Sequence, residues 1–490
     1  MAIIMVNMMK IKKWLLLAAA VHASTLMAAD ILKTDSYFTT QQYDLAKAGY
    51  MEAAKLGNPH AYYQLARMYA KGLGVEQDVI NALIYYSLAA EYDYFNAQKV
   101  IDNTLAKLPA ESKATFIKVM NDYKSKLGKQ TIDANYFPIV LQNSLSTKIT
   151  FDGREKLKRT FYSEDFMGDS IANLNNLAIE EGGNENTTYM STPNEPYLIL
   201  DIDIAEDGSI RNYFEVQNMG GSAERLINEF ILFPQPKPSI NNQHTSFVHR
   251  VFLGAAVYSK SILIDKSEHM YAQILRTSKT LKQGTTLNDR YQYAMSLLNF
   301  PWLTSEPQEA EQKLLALAKL GHPSAMYEYG MLLYREQRNI PEAINWISQS
   351  SKYGLIRAEF RLAMILNTSP WVQQDKSKAL FWFSSAMNKG DINASIRAID
   401  IKLNAKDKSL IDVESAVQDL KNIEYQHGNN PEYYYLLALS YRDREARDFS
   451  QFVRNMRIAI NRGNSLNWLT SEWQELLDKS TVGNVYINDK

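Results

Sequence analysis

The chain has 490 residues, so about two to four domains are expected at the usual domain size. Hydrophobic residues make up 46% of it and charged residues 22%, which is a globular composition. Its 53 lysines and arginines balance 54 aspartates and glutamates, which excludes a strongly basic nucleic-acid-binding protein. The cysteine count is 0, which excludes disulfide frameworks, thiolate metal sites, cysteine nucleophiles and a lipoprotein anchor.

Residues 1–29 have the pattern of a secretory signal peptide. Three lysines between positions 10 and 13 precede a short apolar run, and small residues such as Ala23 and Ala29 follow it. A membrane anchor needs about 20 apolar residues, and this run is interrupted by polar ones. We therefore expect cleavage by residue 29, a periplasmic location and no stable membrane span in the mature chain. An uncleaved anchor is the alternative.

Two segments, residues 54–90 and 318–351, share a pattern of paired helices joined by a loop. In the first segment Ala61, Leu65 and Tyr69 recur every four residues, so they lie on one face of a predicted helix. Turn glycines that suit the ends of second helices recur at intervals between 33 and 38 residues, at positions 321, 354, 390, 428 and 463. This is the period of tetratricopeptide-type helix pairs, so we predict a mainly α-helical chain with solenoid arrays.

The units resemble Sel-1-like repeats, which are relatives of tetratricopeptide repeats. The first unit matches best, with Gly72-Leu73-Gly74-Val75, Asp78, Ala82 and Tyr86 in the order of the family pattern. The resemblance covers residues 40–127 loosely and about 286–475. It implies a helical scaffold that binds other proteins.

Between the helical regions the hydrophobic period changes to two. Residues 197–204 (YLILDIDI) alternate, Asp207-Gly208 predicts a hairpin turn, and residues 209–216 form the return strand. A helix at 222–230 and a strand at 245–257 complete a β-β-α-β order. We therefore predict a small α+β domain that the helical arrays flank.

This stretch resembles the periplasmic C-terminal domain of TonB, the envelope energy transducer. The shared features are the hairpin with its Asp-Gly turn, the helix, the Phe233-Pro234 step and the closing strand. The closing strand is then expected to accept a partner strand. The domain is internal and no long proline-rich spacer precedes it, which argues against energy transduction.

We expect six segments along the chain. They are a signal peptide (1–29), an N-terminal helical repeat region (30–128), an irregular linker (129–195), the α+β domain (196–262), a C-terminal repeat array (263–476) and a tail (477–490).

No motif points to catalysis or to a cofactor. No two of the 7 histidines have the helical spacing of a zinc site, and nucleophile-elbow, P-loop and calcium-loop motifs are absent. His60, His322 and His427 are near repeat turns, where we expect them on the surface. Asp201 and Asp203 lie two apart on one strand face, which we expect to be the solvated face of a half-buried strand rather than a cation site or an acid pair.

Three arginines are the candidate binding residues. Arg357 and Arg361 are four apart on one first helix, and Arg397 is equivalent to Arg361 one repeat later. Stacked repeats would join them into a basic patch, which predicts binding of an acidic protein segment. A solvated face without a partner is the alternative.

The sequence thus predicts a non-catalytic periplasmic scaffold of the Gram-negative envelope, which binds envelope proteins through its repeats and a strand edge and takes no cofactor or nucleic acid. A TonB-like energy transducer or transport accessory is one alternative. An unrecognised envelope hydrolase is the other.

Overall fold

The computed structural model describes residues 28–155, 157 and 195–481. The predicted signal peptide lies outside these residues apart from its last two positions, and so do most of the second half of the predicted linker and most of the tail. The described chain is mainly α-helical with a small β region, as predicted. It divides into two compact units after Lys107.

The first unit is helical. Its described helices are α1 (Ile31–Thr39), α2 (Tyr43–Lys55), α3 (Pro59–Lys71), α4 (Val79–Ala90) and α5 (Ala97–Leu105). The predicted repeat is the pair α3 and α4. Gly72 ends α3 in the left-handed conformation, with φ at 68°. Asp78 begins α4 by accepting hydrogen bonds from the backbone N–H groups of Ile80 and Asn81.

The second unit begins with two helices, contains the β region, and continues into the C-terminal array. The first helices are α6 (Ala110–Leu127) and α7 (Lys129–Tyr136), the strands are β1 (Thr150–Phe151), β2 (Tyr197–Ile204), β3 (Ile210–Met219), β4 (Pro238–Ile240), β5 (Gln243–His244) and β6 (Phe247–Gly254), and α8 (Glu224–Phe230) follows β3. The array consists of α9 (Lys260–Lys266), α10 (Glu268–Gln283), α11 (Leu287–Asn299), α12 (Glu309–Lys319), α13 (Pro323–Arg335), α14 (Ile340–Lys352), α15 (Ile356–Thr368), α16 (Lys376–Asn388), α17 (Ile392–Asn404), α18 (Val413–His427), α19 (Pro431–Asp443), α20 (Phe449–Ser465) and α21 (Ser471–Thr481). None of the helices within the described ranges has both the length and the apolar character that crossing a membrane requires.

The predicted irregular linker starts with a helix, α7, and then runs along the array. The backbone N–H of Leu141 donates to Trp371 O at 2.9 Å, and that of Gln373 donates to Ile139 O at 2.9 Å. The side chain of Gln337 bonds both backbone groups of Ile149, at 2.7 and 2.8 Å. The segment from residue 139 to residue 149 shows no hydrophobic periodicity, because its backbone hydrogen-bond partners lie in the array and not in a helix or strand of its own.

The main sheet is antiparallel, with the strand order β3-β2-β6. β2 and β3 form the predicted hairpin, and Gly208 in its turn has a φ of 85°. β6 pairs with β2 along its whole length. The predicted β-β-α-β order therefore holds for β2, β3, α8 and β6, with the short strands β4 and β5 between α8 and β6. A second sheet, β1-β4-β5, uses strands too short for the sequence pattern to indicate.

The array consists of the predicted helix pairs, but only some of its predicted turn glycines end a helix in the left-handed conformation. Gly321, Gly354 and Gly390 have φ values of 89°, 80° and 92°, as predicted for left-handed helix ends. The prediction is wrong for Gly428, where φ is −55° because the chain continues in a right-handed turn. It is also wrong for Gly463, because α20 continues past it to Ser465.

Alanine at two of these glycines separates backbone strain from side-chain contact. We expect Gly390→Ala to destabilise the protein by about 1 kcal/mol, because the left-handed conformation is unfavourable for a residue with a Cβ. A Cβ at position 390 meets nothing within 4 Å, so a clash contributes nothing. Gly428→Ala is the control and should be neutral or slightly stabilising. Equal shifts in the urea unfolding midpoints of both variants would contradict the assigned helix ends.

Candidate functional site

Both faces of β2 are buried. On one face the side chains are those of Leu198, Leu200, Ile202 and Ile204, each with an exposed fraction of 0%. On the other face Asp201 is 1% exposed and Asp203 is 4% exposed. The expectation that these aspartates lie on a solvated face is wrong. Alternation of polar and apolar residues predicts that a strand has a polar face, but it does not show whether water or a polar protein surface covers that face.

Asp201 is paired with arginines from the sheet and from two helices of the array. Arg250 on β6 donates two hydrogen bonds to it, Nε to Oδ1 at 2.7 Å and Nη2 to Oδ2 at 2.8 Å. Arg335 at the end of α13 and Arg357 on α15 approach the same carboxylate at 3.4 and 3.5 Å. Arg250 Nη2 also donates to Glu328 of α13, at 2.9 Å. Arg250 thus joins the sheet to the array.

The balance of burial and charge decides the ionisation of Asp201. Burial alone would raise the pKa of its carboxyl, because water no longer solvates the charge. The attraction of Arg250, Arg335 and Arg357 outweighs that effect and holds the pKa well below its usual value. Burial is also the main reason why the pKa of the neighbouring His249 falls to about 4, and the charge of Arg335 lowers it further. Asp201 is therefore ionised and His249 neutral at pH 7.

Asp203 makes a separate contact with the array. Arg361 Nη1 on α15 donates to Asp203 Oδ1 at 2.6 Å, and only 4% of the Arg361 side chain is exposed. Beside this pair the rings of Phe214 on β3 and Phe360 on α15 are 5.1 Å apart. The contact between sheet and helix is therefore both ionic and aromatic.

The hairpin also contacts the end of the array. Arg211 of β3 lies 3.6 Å from Glu432 of α19, and its guanidinium is 3.9 Å from the ring of Trp468. Asp207 in the hairpin turn accepts a hydrogen bond from the backbone N–H of Leu469 at 2.9 Å. The sheet therefore contacts the first helices α13, α15 and α19 of the array. We refer to the ion pairs of Asp201 and Asp203 with Arg250, Arg335, Arg357 and Arg361, together with Glu328, as the charge layer.

The three predicted binding arginines are bound within the protein. Arg357 and Arg361 meet at the sheet, whereas Arg397 pairs with Glu432, with Nη2 2.5 Å from Oε2. The expected exposed patch is wrong for Arg361 and Arg397, whose side chains are 4% and 16% exposed, and Arg357 keeps 30%. The spacing of Arg357 and Arg361 predicted their proximity. It could not show that an acidic strand 158 residues earlier in the chain pairs with Arg361.

The repeat-turn histidines are also less exposed than expected. His322 is 8% exposed, and its Nδ1 accepts a hydrogen bond from Ala325 N at the start of α13. His427 is 6% exposed, and its Nε2 lies 3.0 Å from Ile392 O. Burial lowers the pKa of both rings. The surface expectation is wrong for these two because neighbouring segments of the array cover the turns.

The part of the chain that the structure describes contains no group of three or more histidine, aspartate or glutamate side chains arranged to hold a metal ion. The buried acidic residues Asp201, Asp203 and Glu328 instead face arginines, and the fully buried Glu359 faces Lys389. The arrangement holds two structural elements together.

Three segments of the chain match Sel1 repeats. The Sel1 repeat family model matches residues 59–91, 314–352 and 356–391. These ranges include the helix pairs α3–α4, α13–α14 and α15–α16, which confirms the predicted repeats at these places. Sel1 repeat proteins generally mediate protein–protein interactions. No curated protein sequence matches the chain significantly.

Three solved structures are similar to parts of the fold. A protective antigen of uropathogenic Escherichia coli with an SLR fold is 14% identical, with a TM-score of 0.33 over 89% of this chain and 74% of that one. A Sel1 repeat protein from Oxalobacter formigenes is 17% identical, with a TM-score of 0.32 over 44% of this chain and 99% of that one. A putative Sel1 repeat protein from Klebsiella pneumoniae is 15% identical, with a TM-score of 0.27 over 42% and 97% of the two chains.

Breaking one buried pair of the charge layer should destabilise the protein strongly. We expect Arg361→Met to cost about 3 kcal/mol, because Asp203 stays buried without its cation. The double variant Arg361→Met/Asp203→Asn should recover most of this loss, since no unpaired charge remains. Arg225→Ala, at a guanidinium whose side chain is 89% exposed, is the control and should be close to neutral. A double variant as unstable as the single one, in urea unfolding, would contradict the assignment.

The half-buried His249 should make stability depend on pH between about 6.5, its ordinary pKa, and about 4, its pKa in the fold. The unfolded chain binds a proton at this residue across that range and the folded chain does not. Stability should therefore fall as the pH falls. His249→Gln removes this contribution. As the pH falls across this range, the free energy of unfolding of the wild type should therefore decrease by about 2 kcal/mol more than that of the variant.

His244→Gln, at an exposed position on β5, is the control and should follow the wild type. Identical pH profiles for His249→Gln and the wild type, measured by urea unfolding, would contradict this account.

Proposed function

We propose that this protein is a non-catalytic scaffold that binds other proteins in the periplasm of a Gram-negative bacterium. Sel1 helix pairs at residues 59–91, 314–352 and 356–391 support the binding role. The lysines and apolar run of residues 1–29 have the pattern of an export signal, which supports the location.

The charge layer is the observation that carries this proposal. It contains Asp201, Asp203 and Glu328, each less than 5% exposed, and arginine side chains neutralise them. A catalytic centre needs carboxylates or cations that a substrate can reach. Here the buried carboxylates and arginines of the charge layer join the sheet to the array, which supports a structural role for them.

The layer also limits where partners can bind. Repeat arrays commonly present their first helices along one continuous surface. The sheet contacts first helices α13, α15 and α19 through Glu328, Arg361 and Glu432. A partner of the second unit would therefore bind outside this row or at the sheet itself. Arg357, with 30% of its side chain exposed, is the one of the three predicted arginines with the most room for a contact.

The β-β-α-β order supports a second candidate, a TonB-like transducer or transport accessory. That function requires an N-terminal segment that stays in the inner membrane and contacts a proton-driven motor. An envelope hydrolase is the third candidate, and it requires turnover of an envelope polymer or peptide.

Fractionation and cross-linking of the full-length protein in cells test the proposal. We expect a periplasmic product that begins by residue 30, and protein cross-links that persist in a stable complex after purification. A full-length product in the inner membrane, cross-linked to a motor complex, would favour the transducer. A purified mature chain that hydrolyses envelope material without any stable partner would overturn the scaffold.

A further inference from the structure

We propose that the outer edge of β3 and the start of α8 bind an extended, basic segment of a partner protein, which adds to the sheet as a fourth strand. This inference rests on the proposed scaffold function and names the surface and the chemistry of the partner.

β3 is an edge strand. In the order β3-β2-β6 it pairs with β2 on one side, and no other described strand pairs with it. Its register with β2 shifts beside Ile199 and again beside Ile204. The regular run between these shifts, Asn212 to Glu215, is long enough to pair with a short segment. An edge strand offers unpaired backbone N–H and C=O groups, which a partner strand can pair.

A groove continues from this edge to α8. A cavity of about 340 Å³ is lined by Tyr213, Glu215 and Asn218 from β3 and by Glu224 and Asn228 at α8. A second, shallower depression lies along α8 and shares Glu224 and Asn228 with the first. Tyr213 is 40% exposed at this place. Side chains of an added strand would therefore find space on the α8 side of the sheet.

The groove is acidic. Glu215 and Glu224 are both exposed, on the strand and the helix that form its walls. Glu215 and Glu224 line the same space as Tyr213, and their charges add to the effect of burial in raising the pKa of Tyr213. The nearby Arg225 is already paired with Glu229 at 2.7 Å. The net negative charge selects a basic occupant.

The spacing of the basic residues follows from strand geometry. Every second side chain of an added strand points to the same face of the sheet. Lysine or arginine at alternate positions would therefore face Glu215 and Glu224. A second copy of this chain that bound here through its own β3 would bring its Glu215 and Glu224 close to those of the first copy. Repulsion between these like charges opposes the pairing of two β3 edges.

Selection from a random peptide library tests the inference, with the immobilised mature protein as bait. We expect enriched peptides to carry lysine or arginine at alternate positions. The best peptide, made synthetically, should bind the wild type and lose at least about tenfold in affinity for Glu215→Lys/Glu224→Lys. Methylation of its backbone nitrogens at alternate residues should abolish binding, because the strand hydrogen bonds are lost while the charges remain.

Glu414→Lys/Glu445→Lys is the matched control, since Glu414 lies in the first turn of α18, as Glu224 does in α8, and both control residues are exposed. This variant should bind the peptide like the wild type. Absence of enrichment, enrichment of neutral or acidic peptides, or unchanged binding by Glu215→Lys/Glu224→Lys would overturn the inference. Dimers that Glu215→Lys/Glu224→Lys dissociates would assign the edge to a second copy and also overturn it. If the cross-linked complex in cells survives this variant, the scaffold function stands and another surface carries it.

Discussion

The second unit depends on one electrostatic requirement, which is that the carboxylates of β2 be paired once they leave water. An unpaired buried carboxylate is costly, and a well-oriented guanidinium can offset most of that cost. Arg250 meets this requirement for Asp201 through two hydrogen bonds, and it donates a further hydrogen bond to Glu328 of the array. Arg361 meets it for Asp203. Because the cations come from both the sheet and the helices, the sheet has one favourable position on the array.

This position has consequences for binding. The first helices α13 and α15 face the chain's own sheet, where Arg357 and Arg361 contact Asp201 and Asp203 of the same molecule. In the strand order β3-β2-β6 the outer strands β3 and β6 are both edges, and no described strand pairs with the outer side of β3. The array and the sheet therefore have different roles in this account. The array supports the sheet, and the sheet presents an acidic edge to a partner.

Local patterns predicted the elements well, and they failed where a distant segment decides the environment. The Asp207-Gly208 turn and the alternation of β2 are local signals, so the hairpin could be predicted. The burial of Asp201 could not, because its partners Arg335 and Arg357 lie more than 130 residues later in the chain. The acidic groove was missed for the same reason. Glu215 and Glu224 are close in sequence, but only the fold places α8 beside the open edge.

Hydrogen–deuterium exchange of the intact protein tests most directly whether the charge layer holds the sheet on the array. The comparison is between the wild type and Asp201→Asn, which removes the charge and keeps the shape. The account predicts faster exchange in both β2 and the first helices α13 and α15, with no change in α3 of the first unit. Faster exchange in β2 alone, or no change anywhere, would show that the sheet and the array are held together by other contacts.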